Sequence, residues 1–213
     1  RAFADGARAL KADVCENEPV LSFEEEKNGV CVRTAKGEYR AKKLILTQGP
    51  WSQAFVPQIQ LHRQLLFWFE SDDSYQNSPC YIFDLPYGFF YGFPKVDKRG
   101  VKVAHHLPGE KIENPGLVDR SLRATDSDLV QRCVKECLSG AREMSDYSVC
   151  IYSMSPDEHF IVDRLPNSQH IYFAAGFSGH GFKFASVMGE ALADLALLGK
   201  TDLPMDLFRC NRF

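Results

Sequence analysis

One glycine-rich turn of this 213-residue chain carries both a histidine and a lysine. Of all the segments in the sequence, this turn most directly suggests chemistry. It reads Gly-Phe-Ser-Gly-His-Gly-Phe-Lys-Phe over 176–184, between the apolar run Ile171 to Ala175 and a stretch with helical apolar spacing, Ala185 to Leu198. Glycines at a strand-to-helix turn let backbone N–H groups approach a ligand, and the helix N-terminus favours negative charge. The turn therefore predicts an electron-rich ligand. Its spacing, G-x-x-G-x-G, differs from the dinucleotide pattern G-x-G-x-x-G, and an ordinary tight turn is the alternative.

Two lysines occupy positions where a positive charge needs an explanation. Lys183 falls in the first turn of the predicted helix, where a cation opposes the helix dipole and a bound anion would offset the cost. Lys102 lies on the apolar strand Val101 to His106, so it either extends to water or serves a site. Strand alternation places Lys102 and His106 on one face and His105 on the other. Because the two histidines point to opposite faces, a metal site formed by them is disfavoured.

Cys150 and Tyr91 lie on two further strand-like segments. Cys150 belongs to the run Val-Cys-Ile-Tyr-Ser-Met, and an inert buried cysteine explains it when the residues are taken alone. Tyr91 lies within Phe-Tyr-Gly-Phe-Pro, in a region rich in aromatic residues. Such residues predict a sheet with one buried face, and they equally fit the wall of an apolar pocket.

Short strands separated by Asn-Gly and Lys-Gly turns predict a β-meander near the beginning of the chain. Its strands are Val20 to Phe23, Val30 to Thr34 and Glu38 to Arg40. The acidic residues Glu24 to Glu26 are predicted to form a solvated loop rather than a metal site. A short strand over Lys43 to Thr47 follows, and Trp51 is interpreted as a packing residue rather than a stacking platform.

The central part of the chain combines strands with one helix. The strand-like segments are Leu61 to Glu70, Tyr81 to Phe83 and Phe89 to Phe93. Pro108 to Pro115 is predicted to be a loop, and Asp119 to Ser139 a helix with Ser127 or Asp128 as a possible cap. Cys133 and Cys137, one helical turn apart, are better explained as buried small hydrophobic residues than as a redox pair.

Composition narrows the class of protein. The net charge of −3 and the 45% hydrophobic content are typical of a globular protein, and no basic stripe suggests nucleic-acid binding. No apolar run approaches the roughly 18 residues of a membrane span, and no signal peptide is visible. Seven cysteines without paired-motif spacing favour reduced thiols and a cytoplasmic location. The chain begins at Arg1, and Ala2 to Val14 has the pattern of an amphipathic helix already under way, which predicts a truncated protein.

Two ordered blocks of sequence resemble a known family. The segments Ser155 to Asp163 and Ser178 to Val187 are similar to the C-terminal part of monomeric sarcosine oxidase and N-methyltryptophan oxidase, which are flavin-dependent amine oxidases. With weaker matches the resemblance extends from near Ala7 to Phe213. The family carries a G-x-G-x-x-G segment near its N-terminus to bind the dinucleotide, and this sequence shows no such segment, so the resemblance implies that the phosphate-binding half of the flavin site lies outside it.

The resemblance implies roles for individual residues. Lys102 would activate oxygen beside the flavin, His106 and Tyr91 would lie at the active site, and Tyr91 would also contact the substrate. Cys150 would form a thioether to FAD, and Lys183 would bind the substrate carboxylate, together with an arginine outside this chain. Lys183 also belongs to the flavin-contacting turn. The other implied cofactor-binding residues are Gly176, Ser178, Gly179, His180, Gly181 and Phe182.

The fold implied by the resemblance is a mixed α/β (α+β) flavin oxidase fold of the glutathione-reductase-like type. It would lack its N-terminal dinucleotide-binding segment and would include a mixed or antiparallel substrate-domain sheet. Residues 1–56 and 150–213 would then belong to the FAD-binding domain, and residues 57–149 to the substrate-binding domain.

The implied activity is the oxidation of a secondary N-methyl amino acid by oxygen, giving hydrogen peroxide, formaldehyde and the demethylated amino acid. The expected partners are FAD, a small amino-acid substrate, oxygen and the N-terminal segment of the same protein. No metal, nucleic acid or membrane is expected. Two alternatives stay open, namely another FAD amine oxidase or dehydrogenase of the same fold, and an inert fragment that binds no cofactor.

Overall fold

The computed structural model of the chain describes residues 2–213. Within that range the protein has three α-helices and twelve β-strands. The helices are α1 (Ala2–Ala9), α2 (Asp128–Cys137) and α3 (Ala185–Leu198). The strands are β1 (Val20–Glu26), β2 (Gly29–Thr34), β3 (Glu38–Ala41), β4 (Leu44–Leu46), β5 (Gln60–Ser71), β6 (Tyr81–Leu85), β7 (Gly88–Phe93), β8 (Val101–His105), β9 (Lys111–Ile112), β10 (Ala141–Met154), β11 (Ile161–Arg164) and β12 (Ile171–Ala175). None of the helices in this range combines the length and apolar character that crossing a membrane requires.

The chain forms two compact units. The first runs through Leu46 and adds Val162–Ala174 and Val187–Arg209. The second contains Thr47–Ile161, Ala175–Ser186 and Cys210–Phe213. The division of the sequence into cofactor and substrate domains concerns function, and it stays a prediction.

The predicted β-meander is confirmed in the first unit as a three-stranded antiparallel sheet of order β1-β2-β3. The prediction that Glu24 to Glu26 form a solvated loop is wrong, because β1 continues through Glu26. Arg33 on β2 contacts Glu24 at 2.5 Å, and Arg40 on β3 contacts Glu26 at 3.2 Å. Cross-strand ion pairs of this kind stabilise paired strands, and they explain why an acidic run stays within the sheet.

The predicted succession of strand, glycine turn and helix is also confirmed. Strand β12 lies between β11 and β4 and pairs in parallel with β4, so that Ile171 faces Leu44 and Phe173 faces Leu46. Every residue of β12 is buried, which is typical of a parallel strand. The chain then turns and enters α3, which ends before Gly199 at a φ of 76°. A positive φ after a helix is the conformation for which glycine has no steric cost.

The second unit is built on one antiparallel sheet of order β10-β5-β8-β7-β6, with the short strand β9 paired to β5. Its register places Trp68 of β5 and Phe93 of β7 on either side of Lys102 in β8. On the next strand Asp146 of β10 faces Trp68. A single row across four strands therefore reads Asp146, Trp68, Lys102, Phe93, and these side chains lie on one face of the sheet.

The opposite face of this sheet packs on α2 and forms the core of the second unit. Its fully buried members include Phe67, Phe90 and Val103 from the sheet and Cys133 from the helix. Burial raises the pKa of the Cys133 thiol to about 12, so this residue is a small core hydrophobe, as predicted. The prediction of a sheet with one buried face is thus confirmed, and a pocket wall formed by the aromatic residues of the other face stays a prediction.

The prediction of a helix over Asp119 to Ser139 is wrong for its first nine residues. Helix α2 begins only at Asp128, and Ser127 takes the N-cap position without a side-chain cap hydrogen bond. The preceding residues turn instead, because the Asp119 carboxylate accepts from the Ser121 backbone N–H at 2.9 Å. Aspartate and serine compete with helix formation through such local bonds.

Arg63 of β5 holds this turn in place from inside the protein. Its side chain is 3% exposed and donates two hydrogen bonds to the Asp126 carboxylate, at 3.0 and 2.9 Å. It also donates to the backbone carbonyls of Asp119, at 2.8 Å, and Ser121, at 2.6 Å. A buried guanidinium with all of these acceptors is a satisfied charge whose removal would leave several unpaired groups.

Two smaller predictions are also wrong. Trp51, interpreted as a packing residue, lies in a short 3-10 helix (Gly49–Ala54) and is 57% exposed. The segment from Pro108 to Pro115, predicted to be a loop, contains strand β9, whose residues Lys111 and Ile112 pair with β5. A two-residue strand has too few residues to show an alternating pattern.

Candidate functional site

Lys102 lies among three aromatic rings on the polar face of the second unit's sheet. Its Nζ is 5.0 Å from the ring centroid of Phe93, 5.6 Å from that of Trp68 and 6.0 Å from that of Tyr91. Within residues 2–213, no hydrogen bond or ion pair is made by this ammonium group. The aromatic faces attract the cation without neutralising it. Lys102 therefore presents a half-buried positive charge that remains available to another group.

The electrostatic surroundings of Lys102 partly oppose its charge. Burial lowers its pKa below the ordinary value of 10.5, and the nearby charge of Arg99 acts in the same direction. The Cys150 thiol acts in the opposite direction, because a thiolate there would favour the ammonium form. An anion bound beside Lys102 would likewise stabilise the charged form.

His106 lies on the same side as Lys102, and the predicted alternation is confirmed. Its backbone N–H donates to Phe89 at 2.7 Å, and its ring lies 5.6 Å from that of Tyr91. The Nδ1 atom is 3.2 Å from the Tyr152 hydroxyl. Burial is the largest cause of the lowered pKa of His106; His180 and Lys183 act in the same direction, and the Glu158 carboxylate opposes them. A neutral imidazole is thus favoured at this position.

His105 belongs to the other face, where its ring lies 4.8 Å from that of Phe90 in the core. The one group with metal-ligand spacing in the described part of the chain is Glu24, Glu26 and Cys31, and it includes neither His105 nor His106. The two histidines therefore point to opposite faces of the sheet, as strand alternation predicted.

Cys150 is a half-buried free thiol on β10, opposite Gln64 of β5. Its charge state influences the titration of Lys102, Tyr91 and Tyr152, which places all four groups in one electrostatic neighbourhood. Burial raises the pKa values of both tyrosines, so both hydroxyls stay protonated. Sequence reasoning missed Tyr152. Tyr152 lies two residues after Cys150 on one strand, so strand alternation places both side chains on the same face. That pattern could have identified Tyr152.

The glycine turn adopts the backbone conformations that its composition suggested. Gly176 and Gly179 have φ values of 62° and 81°, and Ser178 between them has a φ of 49°. The buried Ser178 hydroxyl donates to the Gly176 carbonyl at 3.1 Å and accepts from the Ser155 backbone N–H at 3.2 Å. Ser178 thus stabilises the turn through its own hydrogen bonds. Within the described chain, the backbone N–H groups of Gly179 and Gly181 have no bonded acceptor.

Replacing Gly179 with alanine is expected to lower the free energy of unfolding by about 1–3 kcal/mol. A Cβ atom there would lie 2.4 Å from the buried Tyr152 ring, and the backbone φ of 81° is unfavourable for any residue with a side chain. Gly189→Ala is the matched control, because a Cβ at Gly189 meets no atom within 4 Å and lies in helix α3, where alanine is favoured. Urea denaturation compares the two. Equal stability of both variants would contradict the close contact with Tyr152.

Helix α3 begins at Ala185, two residues after Lys183. Lys183 is part of a 3-10 turn (Phe182–Phe184) immediately before α3, so its predicted place in the first turn of the α-helix is wrong. The Nζ atom donates to the His180 carbonyl at 3.3 Å. His180 in turn packs on Phe160, with ring centroids 5.0 Å apart. The lysine is therefore held beside the glycine turn by local contacts, and the adjacent Phe182 is 97% exposed.

The residues of this face fit a flavin. The second unit contains an unneutralised ammonium at Lys102 and a thiol at Cys150 on the sheet, and two N–H donors without a bonded acceptor at Gly179 and Gly181 in the turn. Hydrogen-bond donors and a fixed cation stabilise the negative charge that a flavin ring acquires on reduction. The exposed ring of Phe182 offers apolar surface on the same turn. Which of these residues contacts a cofactor stays a prediction.

The mixed α/β architecture and this set of donors are compatible with a flavin-binding protein. The chain belongs to the FAD dependent oxidoreductase family, whose family model matches residues 1–195. It is 36% identical to monomeric sarcosine oxidase from Bacillus sp. (strain NS-129) over 225 residues, which cover all of this chain and 58% of that protein. It is also 36% identical to N-methyl-L-tryptophan oxidase from Citrobacter koseri, over 92% of this chain and 55% of that protein.

A solved structure supports the fold assignment. The crystal structure of L-proline dehydrogenase from P. horikoshii superimposes with a TM-score of 0.83 at 25% sequence identity, over all of this chain and 58% of that one. The predicted flavin oxidase fold is thus confirmed. The chain spans slightly more than half the length of the relatives that it matches.

Proposed function

We propose that this protein takes part in the FAD-dependent oxidation of a secondary N-methyl amino acid by oxygen. The products would be hydrogen peroxide, formaldehyde and the demethylated amino acid. The observation that carries the proposal is the half-buried, unneutralised ammonium of Lys102 on the same sheet face as Cys150 and His106. The similarity to a sarcosine oxidase and an N-methyl-L-tryptophan oxidase supports the substrate class.

Bound FAD would supply the two-electron redox chemistry, and the protein would position the amine and set the charge around it. Lys102 would provide a fixed positive charge where negative charge develops on oxygen. Lys183, beside the glycine turn, would attract the substrate carboxylate. The rings of His106 and Tyr91 meet edge to face, and they would line the site where the amine binds. A neutral His106 avoids repelling a protonated amine substrate.

Cys150 would hold FAD covalently through a thioether. We expect Cys150→Ser to abolish the attachment, because the hydroxyl of serine is a much poorer nucleophile than a thiolate. The measurement is the yellow absorbance of the acid-precipitated protein, which stays with the pellet only if the flavin is covalent. Cys80→Ser, at an exposed cysteine, is the matched control and should keep the colour. Colour retained by the Cys150 variant, or absent from the parent protein, would contradict this assignment.

The substrate class is tested with a panel of amino acids on the FAD-loaded protein. Secondary N-methyl amino acids should give equal amounts of consumed oxygen, hydrogen peroxide and formaldehyde. Primary amino acids should give no formaldehyde, because they carry no N-methyl group. Turnover restricted to primary amines would overturn the proposed substrate. We also propose a cytoplasmic location, which the number and spacing of the cysteines support.

A dehydrogenase of the same fold is the second candidate, because a solved L-proline dehydrogenase superimposes over the whole chain. The two functions differ in their reaction with oxygen. A dehydrogenase would turn over with an artificial electron acceptor and would produce little peroxide in air, whereas the oxidase needs oxygen alone.

A further inference from the structure

Arg99 lies over the indole of Trp68, at the border of the face that carries Lys102. The guanidinium carbon is 4.0 Å from the ring centroid, and Trp68 is only 7% exposed. Asp97 accepts from Arg99 at 2.6 and 3.1 Å, and the Ser145 hydroxyl donates to the Arg99 carbonyl. Arg99 is thus fixed through both its side chain and its backbone, although it belongs to a loop.

The same guanidinium also approaches Asp146. Its Nη1 atom is 3.7 Å from the Asp146 carboxylate, which stands opposite Trp68 across β10 and β5. In the row across the sheet, Trp68 separates Asp146 from Lys102 by two strand spacings, about 10 Å. Lysine and aspartate side chains together can span such a distance. Arg99 therefore pairs with Asp146, which is the acidic residue in the same row as Lys102.

We propose that Arg99 and Trp68 are positioning residues that keep the Lys102 ammonium over the aromatic rings and prevent it from pairing with Asp146. The inference rests on the proposed function, in which Lys102 serves the reaction with oxygen. Trp68 attracts the ammonium through its ring face, and Arg99 both neutralises Asp146 and repels Lys102 from that side. An ion pair with Asp146 would draw the Lys102 ammonium away from the rings and neutralise the charge that oxygen requires.

The charged and titratable groups around Lys102 agree with this arrangement. Cys150 acts on it from β10, where Asp146 lies beyond Trp68 in the same row, Tyr91 contacts it from β7, and Arg99 acts from the loop before β8, paired there with Asp97. The charge of Arg99 lowers the pKa of Lys102, after the larger effect of burial. Loss of Arg99 should therefore raise the pKa of Lys102 twice over, since a repulsion disappears and Asp146 becomes free to attract it.

The test uses the FAD-loaded, substrate-free protein and measures acetylation of Lys102 by acetic anhydride against pH, with mass spectrometry as the readout. Only the neutral amine reacts, so the midpoint of the labelling curve gives the pKa of Lys102. In Arg99→Met the midpoint should move up by about one unit, and the reaction with oxygen should slow about tenfold. The double variant Arg99→Met with Asp146→Asn should restore the oxygen rate and bring the labelling midpoint part of the way back, because the competing carboxylate is gone while the repulsion from Arg99 stays lost.

Trp68 is tested separately by a conservative and a non-conservative substitution. Trp68→Phe keeps an aromatic face and should retain most of the oxygen reaction, whereas Trp68→Leu should slow it and raise the labelling midpoint. Thermal unfolding of each variant separates these effects from a loss of folding. Arg99→Gln replaces Arg99→Met if the latter unfolds, since its side chain is shorter and polar.

Two results would overturn the inference. The first is an unchanged labelling midpoint and oxygen rate in Arg99→Met, and the second is a defect in Arg99→Met that Asp146→Asn does not relieve. Failure of the proposed function would look different. In that case Lys102→Met would react with oxygen as fast as the parent protein, while the labelling curves of the Arg99 variants would still report the pKa of Lys102.

Discussion

Replacing Lys102 with methionine is expected to slow the reaction of the substrate-reduced protein with oxygen about a hundredfold to a thousandfold. Methionine keeps an unbranched apolar stem against Trp68 and Phe93, so the packing of the face should survive. What disappears is the ammonium group that lies among these rings. Because the negative charge on oxygen arises only in the oxidative step, reduction by the amine should change by less than about threefold.

The two steps are measured separately by stopped-flow absorbance, first under anaerobic conditions with substrate and then by mixing the reduced protein with oxygen. Lys135→Met is the matched control, because Lys135 is exposed on α2, which packs on the opposite face of the sheet. That variant should behave as the parent protein does. A Lys102 variant with an unchanged oxygen rate, or with both steps slowed equally, would contradict the assigned role.

Replacing Arg63 with methionine is expected to destabilise the protein by about 3–5 kcal/mol. The substitution leaves the Asp126 carboxylate and the carbonyls of Asp119 and Ser121 without their guanidinium donor, in a place where water has little access. Burial raises the pKa of Asp126, but the bonds from Arg63 and from the Arg123 backbone outweigh it and lower the pKa overall. The ionised carboxylate therefore depends on its arginine partner.

Urea denaturation followed by circular dichroism measures this loss. Arg123→Met is the matched control, since Arg123 makes comparable ion pairs with Asp119 and Glu110 while its side chain is 44% exposed. Solvent-exposed ion pairs contribute at most about 1 kcal/mol, so the control should lose far less stability. Equal losses in the two variants would show that burial of Arg63 is not the source of its effect.

Local sequence patterns predicted much of the fold. The apolar run before Gly176 and the helical spacing after Phe184 identified β12 and α3, since both elements follow from the periodicity of neighbouring residues. The prediction failed where a distant residue decides the structure. The segment before Asp128 turns rather than forming a helix, in part because Arg63, more than fifty residues earlier, binds its carbonyls.

For the candidate site too, local patterns predicted some features, and contacts between distant segments determine the others. Alternation along one strand separated Lys102 and His106 from His105, and the structure confirms it. The row that joins Asp146, Trp68 and Lys102 depends on the strand order β10-β5-β8, which no local pattern contains. The contact of Arg99 with Trp68 requires a loop to return over a strand thirty residues earlier. Such contacts become visible only once the strands are paired.

The central claim, a flavin-dependent amine oxidase site on this face of the second unit, is tested most directly by the absorbance of the FAD-loaded protein. An N-methyl amino acid is added under anaerobic conditions, and air is then admitted. We expect the yellow colour to bleach with the amine and to return rapidly in air, with one hydrogen peroxide formed for each FAD. Colour that persists with the amine, or that returns only with an artificial acceptor, would contradict the oxidase assignment.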